Sequence, residues 1–293
     1  METWLIHTLN GVSFGMQLFL IAAGLSLIFG MMRILNLAHG SFYILGAYIA
    51  ISVFGQVGNF WLALLAGALA LAVLGVLMQR FLMHRFIHDE MGQILLTFGF
   101  LFIIQDFTLW IWGGNPLSIS EPTLFDGSVN LGFIDKYPLY RLFLIGVGLA
   151  IAVGLGLLQE RTKMGAIVRA GVDDEEMVRG LGINVPLVFI AVFGLGASLA
   201  AVGGVMGTAI ASVGPGTDFR ILVFAFAVVI IGGLGSLRGA LVGALIVGLS
   251  FNYGTAIVIK FPNELAPTMA QATIFAPVAI ILALKPTGLF GRT

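Results

Sequence analysis

The sequence predicts an all-α polytopic membrane protein, and three observations carry that prediction. The 293 residues hold only 14 Lys and Arg and 14 Asp and Glu, where a soluble chain of this length carries about 73 charged residues. Hydrophobic residues make up 59% of the chain, which matches the demand of about eight or nine spanning helices at roughly 20 apolar residues each. The apolar runs are continuous over helical lengths rather than alternating every second residue, which disfavours a β-barrel. A soluble globular enzyme is excluded, and so is a single anchor attached to a large soluble domain. The whole of 1–293 reads as one transmembrane domain.

Taken in order, apolar segments fall near 9–31, 41–57, 60–80, 92–113, 139–159, 186–211, 219–235, 239–259 and 268–285. Polar or turn-rich stretches divide them: Arg33 to Gly40, Arg80 to Glu90, Gly114 to Pro138, Glu160 to Val185, Ser212 to Asp218 and Lys260 to Pro267. The second segment is short and punctuated by Gly46 and Gly55, so it is expected to be broken or re-entrant. Glycine stands at 40 residues, almost twice the usual share of about 7%. In lipid, such residues let helices approach closely, because association there rests on packing. Gly235, Gly239 and Gly243, and again Gly203 and Gly207, stand four apart. Close packing is the first reading of these spacings, and a hinge for alternating access is the alternative.

Other counts narrow the function. There is no cysteine, so disulfides and thiolate metal sites are excluded. Net charge is zero, so nothing argues for a nucleic-acid partner. No Lys or Arg precedes Arg33 and no small-residue cleavage pattern follows, so no removable signal peptide is expected. With nine crossings and the N-terminus outside, the inner side holds Arg33, Arg80, Arg85, Arg161, Lys163, Arg169, Arg179, Arg238, Lys285 and Arg292. The outer side holds only Lys136, Arg141, Arg220 and Lys260. This is the positive-inside arrangement, and it puts the C-terminus in the cytoplasm. Trp61, Trp110 and Trp112 then fall near outer ends of spans, where an amphipathic ring sits well.

Nine charged residues fall between Glu160 and Arg179, in the longest inner loop. The stretch ERTKMGAIVRAGVDDEEMVRGLGINVP predicts a helix from about Lys163 to Ala170, stopped at Gly171. Asp173 then reads as the N-cap of a second helix, with Glu176 completing a capping box. Glu175 and Arg179 form an i,i+4 pair of the favoured polarity, and Gly180 and Gly182 unwind the helix before Pro186. The result is a helix–turn–helix knob over about 160–185 with an apolar spine of Met164, Ile167, Val168, Met177 and Leu181. Such a knob suits a groove on another protein; the alternative is a folded loop that covers helix ends.

These residues carry a resemblance. The segments GMMRILNLAHGSFYILGAY (30–48), RAGVDDEEMVRGLGINV (169–185), GGLGSLRGALVGALIVG (232–248) and KPTGLFG (285–291), in that order, resemble the permease subunits of branched-chain, or hydrophobic, amino-acid ABC importers. The resemblance covers essentially the whole chain and implies a type-II-like importer permease of the bacterial inner membrane. It implies that the 169–184 loop couples to a cytoplasmic ATPase, with Arg169, Asp173, Glu175, Arg179, Gly180, Gly182 and Ile183 as the docking residues. It also implies a second, homologous or identical, permease subunit, two ATPases that bind ATP and Mg, and an external substrate-binding protein. Substrates in the family are commonly Leu, Ile and Val, with relatives serving urea, short amides or aromatic acids. The chain itself has no G-x-x-x-x-G-K-[ST], since none of Lys136, Lys163, Lys260 and Lys285 follows a glycine, so it cannot hold ATP by that motif.

The pathway is sought at isolated polar residues. The turn Asn36-Leu-Ala-His39-Gly40 opens the short second segment, and Asn36, His39, Gly40 and Ser41 are expected at a gate or cavity. The competing reading is an interfacial cap. Asp106 is the acid placed inside a span; it should face the bundle interior or water, as a structural bond or as part of the pathway. Thr97 and Asn252 are weaker pathway candidates. His84 and His88 stand four apart beside Asp89 and Glu90, but on a basic loop a solvated face is expected and no metal is assigned. A self-contained ion-coupled secondary transporter or channel is the second reading of the chain. An intramembrane enzyme lacks any nucleophile, acid pair or metal constellation.

Overall fold

The computed structural model describes residues 2–32, 35–86, 89–132, 134–173, 175–258, 269 and 272–291, with Glu2, Val172, Asp173, Glu175 and Glu176 described by backbone alone. The expectations for Arg33, His88, Lys260 and Arg292, and for the Asp173–Glu176 capping box, lie outside the described residues or side chains. The α-helices are α1 (Glu2–Met32), α2 (His39–Val57), α3 (Phe60–Phe81), α4 (Glu90–Trp112), α5 (Leu139–Arg161), α6 (Lys163–Asp173), α7 (Glu175–Gly180), α8 (Val185–Thr208), α9 (Thr217–Gly232), α10 (Leu237–Val258) and α11 (Phe275–Leu284). Between α4 and α5 a short hairpin pairs Ser128–Val129 antiparallel with Tyr137–Pro138. Seven helices, α1 to α5, α8 and α10, are long and apolar enough to cross a membrane.

Local chemistry sets the helix starts. Asn59 accepts from the amides of Trp61 and Leu62 at 2.9 and 3.1 Å and opens α3. Asp89 does the same for α4 through Gly92 N at 2.9 Å. Asn184 caps α8 through Leu187 N, with Pro186 in the first turn. In each case a short polar side chain satisfies an amide that the helix itself leaves open.

The bundle has an inside and an outside. The most apolar stretch of α1 is 83% buried, against 17% for α5. Helix α1 packs on α8, α10, α5 and α9, and α2 packs on α8, α3 and α9. The outer helices show Leu65, Leu69 and Val73 of α3, Phe102 and Phe107 of α4, and Leu149 and Val153 of α5 to the surroundings, the surface a bilayer covers. Where α9 turns into α10, Gly232 and Gly239 lie so close that a Cβ on either would collide with the other's backbone. The glycine spacings seen in the sequence are thus packing surfaces.

Eight of the nine apolar segments coincide with helices, two of them with differences of form, and the ninth is helix over Phe275–Leu284 among the described residues. The expected break in the second segment is absent, because α2 runs unbroken through Gly46 and Gly55. Gly46 is there for close approach: a Cβ on it would stand 2.7 Å from the Cα of Ala201 in α8. The irregularity lies just before α2. His39 Nε2 donates to Ile21 O at 3.1 Å, about three turns short of the end of α1. Thr97 Oγ1 donates to Leu35 O at 3.4 Å, about two turns inside α4. Residues 35–38 therefore descend into the bundle before α2 begins. The seventh segment is likewise only 16 residues of helix, α9, and it too begins inside, with Asp218 against Gly40.

Candidate functional site

The first site is where α2 and α9 start. Asn36, His39 and Ser41 are fully buried. Asn36 Oδ1 accepts from Ala38 N at 3.0 Å, and its Nδ2 has no partner among the described residues. With His39 Nε2 committed to Ile21 O, Nδ1 is left without a partner among the described residues. Ser41 Oγ donates to Leu101 O at 3.4 Å, near the middle of α4. Thr97 joins the same cluster through Leu35 O. Gly40 is required by contact: a Cβ there would collide with the Asp218 carbonyl and stand 2.8 Å from Leu222 Cβ.

Asp218, which the sequence reading left in a turn, belongs to this cluster. It lies in the first turn of α9 and is 1% exposed, and its carboxylate meets no side-chain donor among the described residues. Asp218 lies in the first turn of α9, which has no side-chain cap, so the positive end of that helix dipole favours its carboxylate. That field is the physical reason a buried acid is tolerated here. The signal that hid it was Gly214-Pro215-Gly216, which reads as a surface turn. Further along α2, Tyr43 OH accepts from Gln17 Nε2 at 2.7 Å, and Trp112 stacks on Tyr48 and donates to Ser52 Oγ at 2.7 Å.

Two pathway candidates stand apart. Asp106 is exposed on the outer face of α4 beside Phe102, Ile103, Phe107 and Trp110, not in the bundle interior. Asn252 is half-buried on α10 and donates to Gly248 O of its own helix. Neither touches the cluster.

The second site is the knob. Helix α6 runs on through Gly171 to Asp173, past the expected stop, because Gly171 lies mid-turn with open space around it. The turn after α7 is the expected one: Gly182 takes φ +79°, and Gly182 N donates to Arg179 O at 2.9 Å. The apolar spine splits. Ile167, Val168 and Ile183 pack against the core, and Val178, which the spine omitted, is 3% exposed and anchors α7. Met177 and Leu181 point outward at 68% and 74% exposed, with Met164 exposed as well. Arg179, Gly180 and Gly182 share that exposed stretch. Arg169 instead lines a crevice against α1, α5 and α10.

With these two features in place, comparison with known proteins is informative. Residues 7–282 match the family described as "Branched-chain amino acid transport system / permease component". The chain belongs to that family. It is 27% identical to the high-affinity branched-chain amino acid transport system permease protein LivH of Escherichia coli, over 97% of this chain and 94% of that protein. It is equally 27% identical to the corresponding permease protein BraD of Pseudomonas aeruginosa, over 99% and 96%. Among solved structures, PsaBC from Streptococcus pneumoniae in complex with Fab aligns with a TM-score of 0.51 at 14% identity, covering 95% of this chain and 91% of that one. That likeness concerns the fold alone. The permease is a transmembrane transport subunit, in keeping with its seven apolar helices.

Proposed function

We propose that this permease forms half of the pore of an ATP-driven importer for branched-chain or other hydrophobic amino acids, or a related small solute such as urea, an amide or an aromatic acid. Its partners are a second permease subunit, homologous or identical, two cytoplasmic ATPases that supply ATP and Mg chemistry, and an external binding protein. It sits in a bacterial inner membrane with the N-terminus outside and the C-terminus inside, following the distribution of Lys and Arg. The observation that carries the reading is the knob: two short helices anchored by Val178, Ile167 and Val168, with Met177, Arg179, Gly180, Leu181 and Gly182 exposed.

The knob is apolar where it meets the bundle and apolar again where it leaves it. Closure of the ATPases displaces α6 and α7 as a unit, and their packed side chains pass that displacement to the bundle. Inside, the free amides of the α2 N-terminus and the Asn36 amide suit a carboxylate, and Asp218 suits an ammonium group. An amino-acid zwitterion carries both. Asn36, His39, Gly40, Ser41 and Thr97 are thus assigned to the gate together with Asp218, and Asn252 to a secondary place, while Asp106, on the outer face of α4, is left out of the pathway.

The test is copurification with an ATPase, followed by ATP hydrolysis stimulated by a loaded binding protein. Exchanging Glu175→Lys with Arg179→Glu is expected to abolish ATPase association and leave the helical content intact. Normal assembly and uptake in that double variant would overturn the docking assignment. The buried Asp218 favours one rival, an ion-coupled carrier acting alone. Uptake by the isolated chain in liposomes, driven by a proton gradient with no ATPase present, would establish that rival.

A further inference from the structure

A crevice of about 890 Å³ opens on the side of the bundle that carries α6 and α7. Its floor is α1 from Phe19 to Gly30, one wall is α5 from Ala152 to Glu160, and the other is the start of α10 to Leu241. Along α1 this spans about 16 Å, close to half the roughly 30 Å hydrocarbon thickness of a bilayer. The deep part is apolar, with Phe19, Leu27, Ala152 and Leu241. The mouth is polar, with Gln159, Glu160, Arg169, Ser236 and Arg238.

Among the described residues the charges at the mouth do not balance. Arg238 is paired with Glu160. Arg169 has no such partner: its Nη1 is closed off from solvent and has no acceptor among the described residues. About one turn below Gly30, Ser26 Oγ is buried on the same wall and also unpartnered among the described residues. One uncompensated cation at the mouth, a lone hydroxyl one turn deeper and an apolar trough below them follow the order of groups in a phospholipid: phosphate, ester carbonyl, acyl chain.

We infer that this crevice binds one anionic phospholipid of the membrane leaflet on the knob side, its phosphate on Arg169 and an acyl chain along α1 between α5 and α10. A basic pocket between membrane helices on the cytoplasmic side is a recognised site for anionic headgroups. The site rests on the membrane-spanning fold and needs neither the ATPase nor the transported solute, so it stands or falls separately from the transport reading. Because α6 supplies the arginine, the lipid ties the knob to α1, α5 and α10.

Native mass spectrometry of the full chain, released from detergent with added phosphatidylglycerol or phosphatidylcholine, tests this. The wild type is expected to retain phosphatidylglycerol about fivefold better, the preference expected of one basic residue at a membrane surface. Arg169→Gln should bring the two lipids to parity. Glu160→Gln, which releases Arg238, should raise the preference for the anionic lipid, a direction that mere structural damage does not produce. Gly156→Leu, at a crevice glycine with open space around it, should lower retention of both lipids. Gly99→Leu, at an equally open glycine on α4, should change neither. Equal retention of both lipids by the wild type, an unchanged preference in Arg169→Gln, or displacement of the lipid by free leucine would overturn the inference.

Discussion

The deep junction of α2 and α9 and the knob of α6 and α7 solve opposite problems. At the junction, backbone meets backbone where Gly40 touches the Asp218 carbonyl, as it does where Gly232 touches Gly239 at the far end of α9. Polar side chains there are buried and short of partners. In the knob, Gly171, Gly180 and Gly182 stand in open space and the large side chains of Met177 and Leu181 face outward. The junction is complete in its packing and incomplete in its hydrogen bonds, as suits a place that a small polar solute visits. The knob closes its turn with a backbone hydrogen bond from Gly182 to Arg179 and leaves Met177 and Leu181 unpacked, as suits a surface that another protein covers.

The comparison breaks most visibly at its glycines. Gly239→Val should be the most damaging change, since overpacking against backbone costs about 3 kcal/mol; loss of monodisperse protein in detergent is the readout. Asp218→Asn should leave the unfolding midpoint unchanged or raised, because no described side chain loses a partner. It should cut uptake by about tenfold or more, the worth of one charge-assisted contact to the solute. Retained uptake would remove Asp218 from the pathway. In the knob, Met177→Ser with Leu181→Ser should weaken ATPase binding by about tenfold or more, from lost apolar burial in the complex, with no change in thermal stability. Gly171→Ala sharpens the contrast with Gly239→Val: it should stabilise the isolated permease by about 0.5–1 kcal/mol, read as a raised unfolding midpoint.

The smallest effect lies in the outer loop. Partial burial and the nearby Asp126 raise the Glu121 carboxyl above the ordinary carboxylate range, against the opposing pull of Arg141. A carboxyl raised in the folded state favours folding while protonated, and that contribution disappears as pH rises through its folded value. Glu121→Gln should therefore have a slightly higher midpoint than the wild type at neutral pH. The difference should close as the pH is lowered below the usual glutamate range.

Much of this was legible in the chain. Continuous apolar runs located the helical segments, whereas the caps at Asn59, Asp89 and Asn184 emerged from the structure. The α6–α7 pair was readable from its charges and glycines, though α6 continues through Gly171 because an open helix interior tolerates that residue. Asp106 and Asp218 show where reading failed. An acid inside an apolar run looked buried, and an acid after Gly-Pro-Gly looked exposed; the fold reverses both. Periodicity reports which residues are apolar, but not which face of a helix is turned toward its neighbours when nearly every face is apolar.

What the sequence determined by itself is the medium, the number and rough position of the apolar helices, and the presence of a structured charged loop. These follow from transfer free energy and local propensity, which act along the chain. The tertiary structure alone decided that two helices begin inside the bundle, that Asp218 is buried there with its backbone against Gly40, and that Arg169 turns from the knob toward a crevice. Those facts depend on how closely glycine-lined helices approach one another, and that distance is set by packing between segments remote in sequence.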